Sequence, residues 1–239
     1  MYDPRERLIV ALDVSSAAAA RQIVSAVGES ASIYKVGMQL YTAEGPSVVQ
    51  DLIAAGRRVF LDLKYHDIPT TVASAVKEAA ALKVSMLTVH SSGGSKMLRA
   101  ATDAARSHPA LIILAVTVLT SLAGSDLEEI GIPVEMTPQV LRLARLAIDS
   151  GCKGIVSSAR EVPELRRQLG DEIAIVTPGV RPAGASHGDQ ARVVTPAQAI
   201  AAGASHIVVG RPITAAPNPS AVVKALVEEM TAVPVTATR

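Results

Sequence analysis

Eight short runs rich in β-branched residues, alternating with alanine-rich helical segments, constrain the fold of this chain more than any other feature. Strands are expected over 8–13, 32–37, 59–64, 85–90, 111–119, 154–157, 173–177 and 206–210. Helical patterns lie between them at 17–27, 46–55, 71–82, 96–106, 138–150, 162–169 and 196–202, with a last one over 220–230. Gly56, Gly151 and Gly203 precede strands three, six and eight, as expected where helix C-caps lead into the next strand. An open doubly wound sheet shares this local pattern, but the count of eight favours a closed (β/α)8 TIM barrel. No Pro-, Gly- or Ser-rich linker divides the chain, so residues 1–239 read as one α/β domain with a frayed tail over 231–239.

Composition narrows the partners. At 49% hydrophobic residues the chain can bury a large core. Its net charge of +1, with charges dispersed and aromatics at 2%, offers neither a basic footprint nor stacking platforms for nucleic acid. Cys152 is the only cysteine, which rules out an intrachain disulfide or a cysteine metal cluster and leaves a small buried thiol as the expected state. The longest apolar stretch, 110–119, contains Thr117 and is far too short to span a bilayer. Asp3, Arg5, Glu6 and Arg7 precede a short apolar run that stops at Asp13, unlike a signal peptide. A soluble, cytoplasmic protein with no membrane partner is expected.

Barrel active sites sit at the C-terminal ends of the strands, and the polar residues of this sequence gather there. Strand one ends in Asp13, strand two contains Lys35, strand three ends in Asp62 and Lys64, and strand five runs into Thr120 and Ser121. Strands seven and eight run into Pro178-Gly179-Val180-Arg181 and Val209-Gly210-Arg211-Pro212. Alternation over 59–64 puts Phe60, Asp62 and Lys64 on one face. Taken alone, Asp62 and Lys64 read as a structural ion pair. On a strand covered by helices, such charges are costly unless paired or facing a wet cleft, and their company at one rim favours the cleft.

Lys64 is the candidate proton donor. With Asp62 and Asp67 both close, it would remain an ammonium, suited to stabilising developing negative charge and unsuited to Schiff-base chemistry. Asp67 lies three residues beyond Lys64, just before Ile68-Pro69, and so has left the strand. Its direction, into its own barrel or a neighbour's, is open at this level. Gly210-Arg211 suits a phosphate, because glycine admits close backbone approach and arginine gives bidentate charged hydrogen bonds. Residues 179–190, with Gly179, Pro182, Gly184 and Gly188, read as a long mobile loop beside that site, placing Arg181 and Gln190 near a ligand. His90 is expected to be a hydrogen-bonded structural histidine and Gly93-Gly94 a tight βα turn, while the role of His66 is open.

The ordered set of these motifs resembles the orotidine 5′-phosphate decarboxylase family. It comprises Ile9-Val10-Ala11-Leu12-Asp13, Lys35-Val36-Gly37, the run Phe60-Leu61-Asp62-Leu63-Lys64-Tyr65-His66-Asp67-Ile68-Pro69, and Val116-Thr117-Val118-Leu119-Thr120-Ser121. It continues through Thr177-Pro178-Gly179-Val180-Arg181-Pro182, Gly188-Asp189-Gln190 and Val209-Gly210-Arg211-Pro212, covering nearly the whole chain. The resemblance implies a (β/α)8 barrel, a homodimer, no metal or organic cofactor, and conversion of orotidine 5′-phosphate to uridine 5′-phosphate (UMP) in de novo pyrimidine biosynthesis. It implies that Lys64 protonates the ring carbon vacated by carbon dioxide, that Asp62 lies beside the departing carboxylate, and that Asp67 and Thr71 are donated across the dimer. Lys35 would bond the ribose and hold Asp62, while Asp13 would bind the ribose hydroxyls. Thr120 and Ser121 would read the pyrimidine edge, and Gly210, Arg211, Arg181 and Gln190 would hold the phosphate. Thr70 replaces the family's usual asparagine but keeps a hydroxyl expected to cap the following helix.

The nearest alternative is a magnesium-dependent sugar-phosphate decarboxylase or aldolase of the same superfamily, which shares the Asp-x-Lys-x-x-Asp strand. The Leu119-Thr120-Ser121 turn and the Gly188-Asp189-Gln190 loop favour the pyrimidine nucleotide. A non-catalytic nucleotide-binding or scaffold protein would need a missing motif residue, and none is missing.

Overall fold

Strands that alternate inward and outward side chains close into a barrel when each face finds apolar partners, and this chain supplies them at every turn of the repeat. The computed structural model describes residues 3–133, 135–182 and 194–232. The strands are β1 (Leu8–Ala11), β2 (Ile33–Gly37), β3 (Arg58–Tyr65), β4 (Met86–His90), β5 (Ile112–Val116), β6 (Gly154–Val156), β7 (Ala174–Thr177) and β8 (His206–Val209). They form a closed barrel in sequence order, all parallel, with β8 returning to pair with β1. The predicted TIM-barrel class is the observed one.

The barrel interior is filled by Ile9, Ala11, Ile33, Phe60, Met86, Leu114, Val176 and Val208. Outward residues such as Val10, Tyr34, Leu61 and Leu87 pack beneath the helices. Burying each large apolar side chain is worth about 1.5–3 kcal/mol, so both layers stabilise the closed form.

The helices are α1 (Ala17–Val27), α2 (Met38–Glu44), α3 (Ser47–Ala54), α4 (Pro69–Ala81), α5 (Gly94–Ala104), α6 (Gly124–Glu129) and α7 (Met136–Asp149). They continue with α8 (Val162–Leu169), α9 (Pro196–Ala201), α10 (Arg211–Thr214) and α11 (Pro219–Thr231). α1 begins at Ser16, whose hydroxyl accepts the Ala19 N–H at 3.2 Å. A short 3-10 turn, Ser91–Gly93, joins β4 to α5 as the glycine pair implied.

Several boundaries differ from expectation. β1 stops at Ala11, so Asp13 stands on the loop beyond it, and β5 stops at Val116, freeing 117–123 to build the barrel mouth. Thr70 does not cap α4. The cap position is Ile68 with no side-chain bond, Pro69 opens the helix, and Thr70 lies inside the first turn, where its carbonyl accepts the Ser74 hydroxyl at 3.0 Å. Thr231, expected to open the frayed tail, instead belongs to α11, and its hydroxyl donates to the Glu228 carbonyl at 2.7 Å. Residues 233–239 lie outside the described set. No helix among the described residues is long and apolar enough to cross a membrane.

Two buried groups carry consequences for stability. Cys152 is buried and its thiol is pushed up to about 12 by desolvation, which makes it an inert packing residue. At the N-terminal end of the barrel, His206 is pushed down to about 4, first by burial and then by Arg7 and Arg58. Its Nδ1 is buried and has no hydrogen-bond partner among the described residues. Between that value and the ordinary histidine value of about 6.5 the unfolded chain binds more protons, so stability falls as pH drops through this window. Moving from pH 7 to pH 5 should cost about 2 kcal/mol through His206. His206→Gln should flatten that pH dependence in urea unfolding; an unchanged slope would mean that the ring titrates normally.

Candidate active site

The C-terminal rim of the barrel encloses a cavity of about 570 Å³, into which Asp13, Lys35, Asp62, Lys64, Thr120, Ser121, Arg181, Gly210 and Arg211 all project. Lys35 comes from within its strand and the others from the ends of strands or the loops beyond them, and the closed barrel brings them together.

One wall carries an alternating row of charges. Lys35 comes from the middle of β2 and is 9% exposed. Its ammonium donates to Asp13 Oδ1 at 2.7 Å and lies 3.8 Å from Asp62 Oδ2. Lys64 donates to both oxygens of Asp62 at 2.9 Å. The sequence is therefore Asp13, Lys35, Asp62, Lys64, each charge facing an opposite one, which offsets the cost of desolvating them. Gly37 keeps the row open: a Cβ there would stand 3.0 Å from Lys35 Nζ and 3.3 Å from Asp13 Oδ1.

Phe60, Asp62 and Lys64 line the cavity as alternation predicts, but the strand does not run straight between them. Leu61 pairs with Leu87 and Tyr65 with Val89, so the register slips in between. Lys64 sits at φ 52°, in the left-handed region that non-glycine residues rarely adopt. Its N–H donates to Thr88 Oγ1 at 2.9 Å, and the Thr88 hydroxyl donates to Asp62 Oδ1 at 3.0 Å. Thr88 belongs to no motif that the sequence reading singled out. The available signal is a hydroxyl residue at an interior position of a barrel strand, between Met86 and His90.

The opposite wall is built by the loop after β5, with Thr120 and Ser121, over an apolar floor that includes Val116, Val156 and Pro178. Beyond β8, Gly210 caps α10 and Arg211 is its first residue. After β7, Gly179 turns the chain at φ 76° and the Arg181 N–H donates to the Val194 carbonyl at 3.0 Å. Arg181 is 8% exposed. Gln190, with the rest of 183–193, lies outside the described residues.

Asp67 and Thr71 stand apart. Both are exposed and neither lines the cavity of its own chain. Asp67 Oδ1 accepts the Ile68 N–H at 2.6 Å. His90 departs from expectation: among the described residues no hydrogen bond reaches its ring, which instead lies tilted against His66 with centroids 5.4 Å apart. Burial, then His66 and Lys64, hold its pKa below the ordinary value, so it is a neutral packing group.

A closed (β/α)8 barrel with paired ammonium and carboxylate groups at its strand ends has the architecture of a barrel enzyme. Comparison with known proteins places it more closely. The family model described as orotidine 5′-phosphate decarboxylase / HUMPS matches residues 6–226. The orotidine 5′-phosphate decarboxylase of Moorella thermoacetica is 48% identical over 233 residues, covering 95% of this chain and 92% of that protein. That of Afipia carboxidovorans is 50% identical over 228 residues, covering 95% and 96%. The crystal structure of orotidine 5′-phosphate decarboxylase from Lactobacillus acidophilus matches with a TM-score of 0.84 at 39% identity, covering 94% of this chain and 99% of that one. The chain belongs to the orotidine 5′-phosphate decarboxylase / HUMPS family.

Proposed function

We propose that this enzyme decarboxylates orotidine 5′-phosphate to UMP in de novo pyrimidine biosynthesis, without a metal ion or organic cofactor. The observation that carries the reading is the row Asp13, Lys35, Asp62, Lys64 at the mouth, with an ammonium 2.9 Å from both oxygens of a carboxylate. Breaking the bond to carbon dioxide leaves its electron pair in the plane of the pyrimidine ring, where the π system absorbs it poorly. The Lys64 ammonium meets that charge and then transfers a proton from Nζ to the vacated carbon, binding the transition state more tightly than the ground state. The neutral amine regains its proton from solvent. Asp62 holds Lys64 in place and lies beside the leaving carboxylate.

Support for a metal-free reaction comes from the donor set. Lys64 engages both oxygens of Asp62, and Lys35 engages Asp13, so these cavity carboxylates already face protein cations. Lys35 and Asp13 are assigned to the ribose, Thr120 and Ser121 to the pyrimidine edge, and Gly210, Arg211, Arg181 and Gln190 to the phosphate. A homodimer is part of the proposal, with Asp67 and Thr71 reaching the partner's site. Their exposure supports it, as do two large apolar side chains left open to solvent, Ile68 and Met38, which are 64% and 56% exposed. A cytoplasmic setting completes the reading.

Purified protein given orotidine 5′-phosphate should release UMP and carbon dioxide in equal amounts; release of neither would sink the assignment. The phosphate is remote from the bond that breaks, so its binding serves to position the ring. Arg211→Ala should therefore lower kcat/KM by about 10²-fold and kcat as well. A change in KM alone in steady-state kinetics would count against this coupling.

A further inference from the structure

We infer that Thr88 is a positioning residue for the reaction, holding Lys64 and Asp62 in register through a single hydroxyl. Between the pairs Leu61–Leu87 and Tyr65–Val89, three residues of β3 (Asp62, Leu63 and Lys64) stand opposite only Thr88 on β4. The ladder is interrupted there as in a β-bulge, which re-aims side chains at the cost of regular backbone pairing. The turn at Lys64, with φ 52°, directs its N–H to the Thr88 side chain instead.

The Thr88 hydroxyl has one proton and accepts through its lone pairs, and both capacities are used within the site. It accepts the Lys64 N–H at 2.9 Å and donates to Asp62 Oδ1 at 3.0 Å. Thr88 is fully buried, so its hydroxyl is shielded from solvent and committed to these two bonds. The hydroxyl thus fixes the backbone of the proposed proton donor and the carboxylate that orients its ammonium. Valine has the same shape and removes both bonds; serine keeps both and removes only a methyl group.

The role in turnover rests on the decarboxylase reading above. The test compares the wild type with Thr88→Val and Thr88→Ser, measuring kcat and KM for orotidine 5′-phosphate, affinity for UMP, and melting temperature. Thr88→Val should lose about 10- to 100-fold in kcat, the scale of a hydrogen bond to a charged group. It should bind UMP within about 3-fold of the wild type, because the phosphate and pyrimidine contacts are untouched. Thr88→Ser should keep kcat within about 3-fold. Wild-type kcat in Thr88→Val, or an equal loss in both variants, overturns the role. A parallel loss of UMP affinity and kcat in Thr88→Val also overturns it, since that marks general disruption of the site. If Thr88→Val does not fold, Thr88→Ala replaces it: kcat lost in Ala and kept in Ser supports the role, and equal rates refute it. Wild-type protein inactive on orotidine 5′-phosphate refutes the decarboxylase reading instead. Crystal structures of the variants then decide the positioning claim, which fails if Lys64 and Asp62 keep their places without the hydroxyl.

Discussion

Lys64→Ala should lower turnover of orotidine 5′-phosphate by at least about 10⁴-fold, because it removes both the cation that meets the carbanion and the proton that quenches it. Each of those effects is worth about 10²–10³-fold or more where it has been isolated in enzymes, and here one nitrogen supplies both. The loss should fall on kcat. UMP affinity should change little, since the residues proposed to hold the phosphate and the pyrimidine, Arg211 at the start of α10 and Thr120 and Ser121 on the loop after β5, come from elements other than β3. The fold should tolerate the change, because Asp62 keeps Thr88 at 3.0 Å and Lys35 at 3.8 Å as partners. A melting temperature within about 4 °C of wild type would confirm that chemistry rather than folding was lost. Lys64→Arg should be nearly as inactive: a guanidinium retains positive charge but does not yield its proton. Appreciable turnover in Lys64→Arg would show that charge alone suffices and would remove the proton-transfer role.

Asp67→Ala should also be strongly impaired, and mixing it with Lys64→Ala should restore activity that neither variant has. If Asp67 acts in the partner's site, a hybrid dimer has one site with both defects and one with neither. Random exchange of equal amounts makes about half the dimers hybrid, so about a quarter of the wild-type sites should return. The structure makes this test pointed, because Asp67 is exposed and absent from the lining of its own cavity. Exchanged subunits without recovered activity would confine Asp67 to a local role, its bond to the Ile68 N–H.

Much of this arrangement is legible in the sequence because barrel closure adds few choices once eight parallel strands are given. The period-two pattern of 59–64 alone puts Phe60, Asp62 and Lys64 on one face, and the rule that sites lie at strand C-termini gathers Asp13, Lys35 and Arg211 around them. Pattern is weaker at the ends of elements. Asp13 and residues 117–119 lie beyond their strands because loop geometry, which has no periodicity, decides where pairing stops. α2, α6 and α10 span two turns or less, too short for a helical period to show. Thr70 misleads because a hydroxyl beside Pro69 resembles a cap, whereas the proline itself starts the helix. The bulge at Lys64 is illegible for a different reason: it depends on how β3 meets β4, and Thr88 announces its part only when the two strands are side by side.

In the proposed reaction, protein ammonium groups, without a metal, stabilise the charge left when carbon dioxide departs. The most direct test of this is the rate of orotidine 5′-phosphate decarboxylation by protein stripped of divalent ions with excess chelator. Full turnover is expected under those conditions, unchanged when magnesium is added back. A rate that vanishes with the chelator and returns only with magnesium would contradict it and would favour a metal-dependent member of the superfamily.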